Sequence, residues 1–153
     1  AGSLIQNADV INLDLNDYSI PLYSIDEEKA NGFPVDLKTL DQQIAKSDGI
    51  VLSLAEHNGA YTAAFKNAFD WLSRIESKTW RNKPMLLLST SPGARGGKSV
   101  MAMALDRIPR HDGNIVFSMS FPSFNENFNK DEVVNPELKA ELDKGVRLLE
   151  ESI

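Results

Sequence analysis

Two short stretches of this chain have the composition of ligand-binding turns. The first is Glu56-His57-Asn58-Gly59, after the apolar run Ile50 to Leu54. The second is Ser89-Thr90-Ser91-Pro92-Gly93-Ala94-Arg95-Gly96-Gly97, after Met85 to Leu88. His57, with a reference pKa of about 6.5, could donate a proton. No carboxylate is placed by the sequence to orient it, and a lone histidine is more often a turn residue. Glu56 reads as a hydrogen-bonding turn residue before a general base. What the two stretches offer is main chain: amides able to face a ligand, and glycines that let the backbone approach a flat ring closely. Taken singly, a Gly-rich loop after a strand is usually a tight turn. Two such loops at two strand ends are far more specific, because ligands of open α/β sheets bind just outside the carboxyl ends of strands.

The elements that must position these loops follow from periodicity. Ile50 to Leu54 and Met85 to Leu88 suit strands buried on both faces. Asn58-Gly59 is a strong turn signal. Phe65, Ala68, Phe69 and Leu72 then recur at helical spacing, with Lys66, Asn67 and Asp70 on other faces. Upstream, Ala1 to Asn7 reads as the last turn of a helix, and Ala8 to Leu15 largely alternates and reads as a strand. Asn16-Asp17-Tyr18 turns the chain, Ile20 to Tyr23 is extended, and Ser24 to Phe33 reads as an acidic surface loop. Pro34 and Asp36 open a helix with Leu37, Leu40 and Ile44 as its apolar positions, ending at Asp48-Gly49. Downstream, Val100, Met101, Ala104 and Leu105 form a helical stripe stopped by Pro109, and Asn114 to Met119 is a short strand. Ser120 to Asn135 reads as a long polar loop carrying Phe121, Phe124 and Phe128. Pro136 opens a last helix with Leu138, Leu142, Val146 and Leu149. The order βαβαβαβα, without an internal repeat, predicts a parallel sheet covered on both faces.

Composition narrows the function classes. The 153 residues, 42% hydrophobic and 25% charged, suit one globular domain with a sizeable core. A net charge of −6 and the absence of any basic run argue against a nucleic-acid partner. With no cysteine there is neither a disulfide nor a cysteine-based metal site, which fits a cytoplasmic protein. No apolar run approaches the ~20 residues a membrane span needs, and no membrane partner is expected.

The motifs carry a resemblance. Lys66-Asn67-Ala68-Phe69-Asp70-Trp71 and Ser91-Pro92-Gly93-Ala94-Arg95-Gly96-Gly97 match the Lys-Asn-Ala-x-Asp-Trp and Ser-Pro-Gly-x-x-Gly-Gly patterns of the NADPH-dependent FMN reductase family, which is flavodoxin-like. The first turn shares Glu56, Asn58 and Gly59 with that family's Pro-Glu-Tyr-Asn-Gly-Ser and departs from it at Ala55, His57 and Ala60. The chain resembles the family well from about Leu13 to Gly97, and weakly afterwards. The resemblance implies an α/β fold, a flavodoxin-like three-layer sandwich with a five-stranded parallel sheet, forming one domain over residues 1–153. It implies FMN, with the ring flanked by Glu56, His57, Asn58 and Gly59 on one loop and by Ser91, Pro92, Gly93, Ala94, Gly96 and Gly97 on the other. NAD(P)H would give hydride, and the acceptor would be a flavin, quinone, azo compound or similar small molecule. No catalytic side chain is expected, because the flavin carries the chemistry, and no metal. Val at position 96 or 97 is expected to weaken flavin retention and leave the fold intact. Family members assemble as homodimers or homotetramers. The apolar surplus of the helix from Tyr61 to Arg74, together with the helix from Lys98 to Arg107, would form that interface, with Lys66, Asp70 and Arg95 in it.

Only four strands are legible, where the family has five. The family's first strand, and the serine- and asparagine-bearing loop that holds the FMN phosphate on a helix N-terminus, are not recognisable. Ala1-Gly2-Ser3 is either a remnant of that loop or the end of the first helix. Both readings make the domain N-terminally incomplete and put the phosphate-binding residues outside this sequence. Two other functions compete. A flavodoxin-like electron carrier without its own NAD(P)H reductase activity suits the acidic charge, but such carriers lack both motifs. A non-flavin α/β response or scaffold domain would need a phosphoacceptor aspartate at a strand end, and none is apparent.

Overall fold

Three of the apolar runs become parallel strands, and the chain between them supplies the covering helices. The computed structural model describes residues 1–130 and 132–153. After a 3-10 turn at Gly2–Leu4, the elements are α1 (Ile25–Asn31), α2 (Val35–Lys46), β1 (Ile50–His57), β2 (Ala60–Tyr61), α3 (Ala63–Ile75), β3 (Pro84–Thr90) and α4 (Lys98–Arg107). They continue with β4 (Asn114–Phe121), α5 (Phe124–Asn127), β5 (Phe128–Asn129), β6 (Glu132–Val133) and α6 (Pro136–Glu150).

The main sheet has the order β2-β1-β3-β4. β1 and β3 run parallel from Ile50 beside Met85 to Ala55 beside Thr90. β3 and β4 run parallel from Pro84 beside Asn114 to Thr90 beside Phe121, with one slip between Met85 and Leu86. β2 is a two-residue antiparallel addition at Glu56 and His57. Side chains alternate across the sheet, as the pleat requires. Met85 and Leu87 join the core beneath α2, α3 and α4, while Leu86 and Leu88 join Leu142, Val146 and Leu149 of α6 on the other face. The two covered faces make a three-layer α/β architecture of flavodoxin type.

Three segments depart from expectation, for physical reasons. Residues 8–15 are not a strand: the segment is irregular and ends in a 3-10 turn at Leu15–Asp17. Alternation marks a segment able to lie in a sheet, but pairing stabilises it. Among the described residues no strand runs beside it, so Ile11 is 68% exposed. The main sheet therefore has three parallel strands, not the four read from the sequence or the five of a complete flavodoxin-like sheet. The edge of β1 from Ile50 to Ala55, opposite β3, also lacks a partner among the described residues.

Ser24 to Phe33 is not a loop but contains α1. The Ser24 hydroxyl accepts from the Glu27 amide at 3.0 Å, acidic residues fill the first turn, and Gly32 ends the helix at φ 69°. The helix buries no residue, so no apolar stripe announced it. Glu28 ties it down instead, accepting from Tyr23 Oη and from Arg74 on α3. The polar loop from Ser120 to Asn135 likewise contains α5 and the small β5–β6 hairpin.

Candidate functional site

The two predicted turns are neighbours. β1 and β3 pair up to Ala55 and Thr90, so the segments leaving their carboxyl ends emerge side by side. β1 runs three residues further than the apolar run, through Ala55, Glu56 and His57. Glu56 and His57 are therefore its last residues, and Asn58-Gly59 alone forms the turn into β2. Asn58 and Gly59 have φ of 51° and 76°, the left-handed region the Asn-Gly pair implied. His57 pairs with Ala60 through its main chain, while its ring is exposed and makes no hydrogen bond among the described residues.

The second loop folds onto itself and onto the end of β4. The Gly96 amide donates to Gly93 O at 3.1 Å, and the Gly97 amide donates to Ser91 Oγ at 3.1 Å. Buried Ser89 donates to Gly96 O at 3.0 Å and shares a 2.9 Å hydrogen bond with Ser120 Oγ. The segment after β4 closes the arrangement: the Ser123 amide donates to Gly93 O at 3.0 Å and the Phe124 amide to Ser91 O at 3.2 Å. Ser123 and Phe124 were absent from the predicted site and lie in the segment read as a long polar loop. Their position after the third parallel strand was the available signal, since ligand loops collect at such strand ends.

The three glycines of this loop do different things. A Cβ on Gly96 would lie 2.7 Å from the Phe121 carbonyl carbon and the Pro122 nitrogen, at a φ of +60°. A Cβ on Gly97 would meet Thr90 O at 3.0 Å, at a φ of +75°. Both are buried and give close approach to the protein's own backbone. The expectation that valine at either position spares the fold is therefore wrong: the space is already taken. Gly93 is exposed, and a Cβ there would meet nothing within 4 Å.

Glu56 is partly buried and faces the second loop. Its Oε2 accepts from the amides of Ser99 at 2.9 Å and Val100 at 3.0 Å, in the first turn of α4. In β2, the Tyr61 hydroxyl is buried without a hydrogen-bond partner among the described residues, and burial pushes its ionisation above the usual phenol range.

What remains is a shelf of main chain open to solvent. Pro92, Gly93, Ala94 and Arg95 are exposed beside exposed Asn58 and Gly59. The amides of Asn58, Gly59, Gly93, Ala94 and Arg95 donate no described hydrogen bond. Two concavities lie elsewhere. A cavity of about 280 Å³ opens behind the shelf, between the ends of β3 and β4 and α6, with Thr90 and Phe121 in its wall. A groove of about 460 Å³ runs between α3 and α4. Neither takes its wall from the Asn58-Gly59 turn or from residues 91–97. Unpaired amides and an open glycine on a flat shelf fit the edge and face of a planar heterocycle such as FMN. No group of three or more His, Cys, Asp or Glu able to hold a metal occurs among the described residues.

The comparisons agree with this geometry. The sequence model of the NADPH-dependent FMN reductase family matches residues 1–126. A quinone reductase of Escherichia coli K12 is 40% identical over 78 residues, covering 51% of this chain and 42% of that protein. A 2-hydroxy-1,4-benzoquinone reductase of a Burkholderia species is 38% identical over 78 residues, covering 50% of this chain and 42% of that protein. The matched region is thus less than half of either relative. Among solved structures, a flavoenzyme NAD(P)H:(acceptor) oxidoreductase from Paracoccus denitrificans superposes with a TM-score of 0.68 at 24% identity, covering 90% of this chain and 78% of that one. That likeness shows the fold.

Proposed function

This chain belongs to the NADPH-dependent FMN reductase family, and from that premise we propose that it is the flavin-ring-binding part of an NAD(P)H-dependent oxidoreductase. Its acceptor would be a small molecule of the quinone or flavin class. The observation that carries the reading is the pairing of two main-chain loops at adjacent parallel strand ends, where the amides of Asn58, Gly59, Gly93, Ala94 and Arg95 have no partner among the described residues. When bound, FMN supplies hydride acceptance from NAD(P)H and its delivery to the acceptor. The chain's own part is to bind and orient. Amides of the two turns hold the polar edge of the ring. Gly93 leaves room for its face. Ser91, Pro92 and Ala94 shape the rim, and His57 stands exposed beside it. No side chain is assigned a proton-transfer step.

Two further elements complete the proposal. Among the described residues the edge of β1 and the alternating segment 8–15 have no strand partner, which suits a sheet completed by one more strand between them and would make residues 1–153 part of a single flavodoxin-like domain. The groove between α3 and α4, with Met103 exposed in its wall, suits a second copy of the chain. The surplus expected on α3 does not contribute: Phe65, Phe69, Trp71 and Leu72 are all buried in their own subunit. Lys66 and Asp70 form an intrahelical pair at 2.5 Å, and Arg95 donates to Ser99 Oγ at 3.3 Å, so all three retain a role within their own chain. The composition is consistent with a cytoplasmic setting, and no helix is long and apolar enough to cross a membrane among the described residues.

A colour test decides. The protein carried on its full natural chain should bind FMN, show an oxidised-flavin spectrum, and bleach anaerobically on addition of NADPH or NADH. Flavin that binds but does not bleach would favour the electron carrier. No FMN binding would refute the reading.

A further inference from the structure

Helix α4 cannot cap its own N-terminus. Its N-cap is Gly97, which has no side chain to accept from the first-turn amides. A capping serine or aspartate there would be strained, because a Cβ would press on Thr90 O at 3.0 Å and the φ is +75°. The missing acceptor comes from another strand. Glu56, at the end of β1, puts Oε2 at 2.9 and 3.0 Å from the amides of Ser99 and Val100, more than 40 positions along the chain. These are the amides a capping side chain would take, and a carboxylate at a helix N-terminus is further favoured by the helix dipole.

The same contact reaches the shelf. Gly97 is both the N-cap of α4 and the last residue of the glycine loop, and its amide is held by Ser91 Oγ. Fixing the first turn of α4 to β1 therefore fixes the loop beside the Asn58-Gly59 turn, which follows Glu56 by two residues. We propose that Glu56 is a positioning residue: it caps α4 from β1 and so locks the two ring-binding loops at one separation. For the flavin this rests on the function proposed above; for the loops it rests on geometry alone. Glu56 does not contact the ring in this assignment. It acts through Ser99 and Val100 on residues 91–97.

Two substitutions separate this role from simple packing. Glu56→Ala removes the acceptor, while Glu56→Gln keeps an oxygen that can take both amides and drops only the charge. Amide hydrogen exchange on the flavin-free full chain reads the loops directly. The amides of Gly96, Gly97, Ser99 and Val100 should exchange at least about tenfold faster in Glu56→Ala and stay within about threefold of the parent in Glu56→Gln. FMN titration should show affinity falling about tenfold in Glu56→Ala and restored in Glu56→Gln. Unchanged exchange at Gly96 and Gly97 in Glu56→Ala would overturn the coupling, whether or not FMN binds. Faster loop exchange with unchanged FMN affinity would overturn the positioning of the flavin loops. Failure of the parent chain to bind FMN would count against the oxidoreductase reading, and the exchange result would still decide the coupling.

Discussion

At the scale of single residues, the glycine loop separates two uses of one residue type. Gly96 and Gly97 allow the loop to lie against its own strand ends, while Gly93 faces open space. Valine at position 96 would carry both a left-handed φ and a Cβ against the Phe121–Pro122 backbone. Gly96→Val should therefore destabilise the fold by about 3 kcal/mol. Gly93→Ala should change stability by less than about 0.5 kcal/mol, yet weaken FMN about tenfold if the ring face passes there. Denaturant unfolding and flavin titration of both variants check this. A Gly93→Ala protein that binds FMN like the parent would remove Gly93 from the ring face. The aromatic residues divide in the same way. Trp80 is buried and stacks on Phe69 with centroids 5.6 Å apart, and Phe121 packs on Phe128 at 5.3 Å, so both serve packing. Phe124, also stacked on Phe128, stays 41% exposed.

At the scale of elements, two carboxylates hold segments that apolar contacts hold weakly. Glu150 on α6 accepts from the amides of Gln6 at 2.8 Å and Asn7 at 3.0 Å, which tethers residues 1–7 to the last helix. Those backbone donors hold its ionisation below the ordinary carboxylate range. Glu28 is lowered too, first by the Arg74 guanidinium and with help from Tyr23 Oη. In both cases the folded state binds its proton less readily than the unfolded chain. Their stabilisation is therefore present above the ordinary carboxylate range and is lost as pH falls through the depressed folded value. Acidification below that range should raise exchange at the Gln6 and Asn7 amides before the sheet unfolds. Glu150→Gln should show that faster exchange already at neutral pH and lose most of its acid dependence. Protection of both amides that is independent of pH and of this substitution would show that the tether lies elsewhere.

At the scale of the whole molecule, the surface most suited to a second copy belongs to α4. Val100, Met101 and Ala104 turn inward, whereas Met103 is 42% exposed in the wall of the α3–α4 groove. A two-fold contact there would bury apolar surface. The proposed dimer should appear in sedimentation at low protein concentration. Met103→Glu should weaken it at least about tenfold, since a buried apolar side chain contributes about 1.5–3 kcal/mol. A parent protein that sediments as a monomer while fully active as a reductase would exclude a site completed by the partner.

The sequence alone determined the features that depend on local pattern. The strand cores at Ile50–Leu54, Met85–Leu88 and Asn114–Met119, and the helices bearing Leu37, Phe65, Val100 and Leu142, follow from hydrophobic period, which the fold preserves. The Asn58-Gly59 turn follows from the conformations those two residues tolerate. The family motifs at residues 66–71 and 91–97 were equally legible. Tertiary structure decided what depends on a partner distant in the chain. Segment 8–15 has the alternation of a strand and is none, because pairing is a property of neighbours. α1 lacks an apolar stripe and stands on its cap and on Arg74, 46 positions from Glu28. Gly96 and Gly97 resembled ligand contacts until the Phe121–Pro122 backbone filled the space at the first and Thr90 O and Ser89 the space at the second. Glu56 read as a turn residue, and its role as the cap of α4 became visible only when β1 and β3 lay side by side. A carboxylate shows its chemistry in the sequence, but its acceptor role is fixed by whichever donors the fold brings within 3 Å.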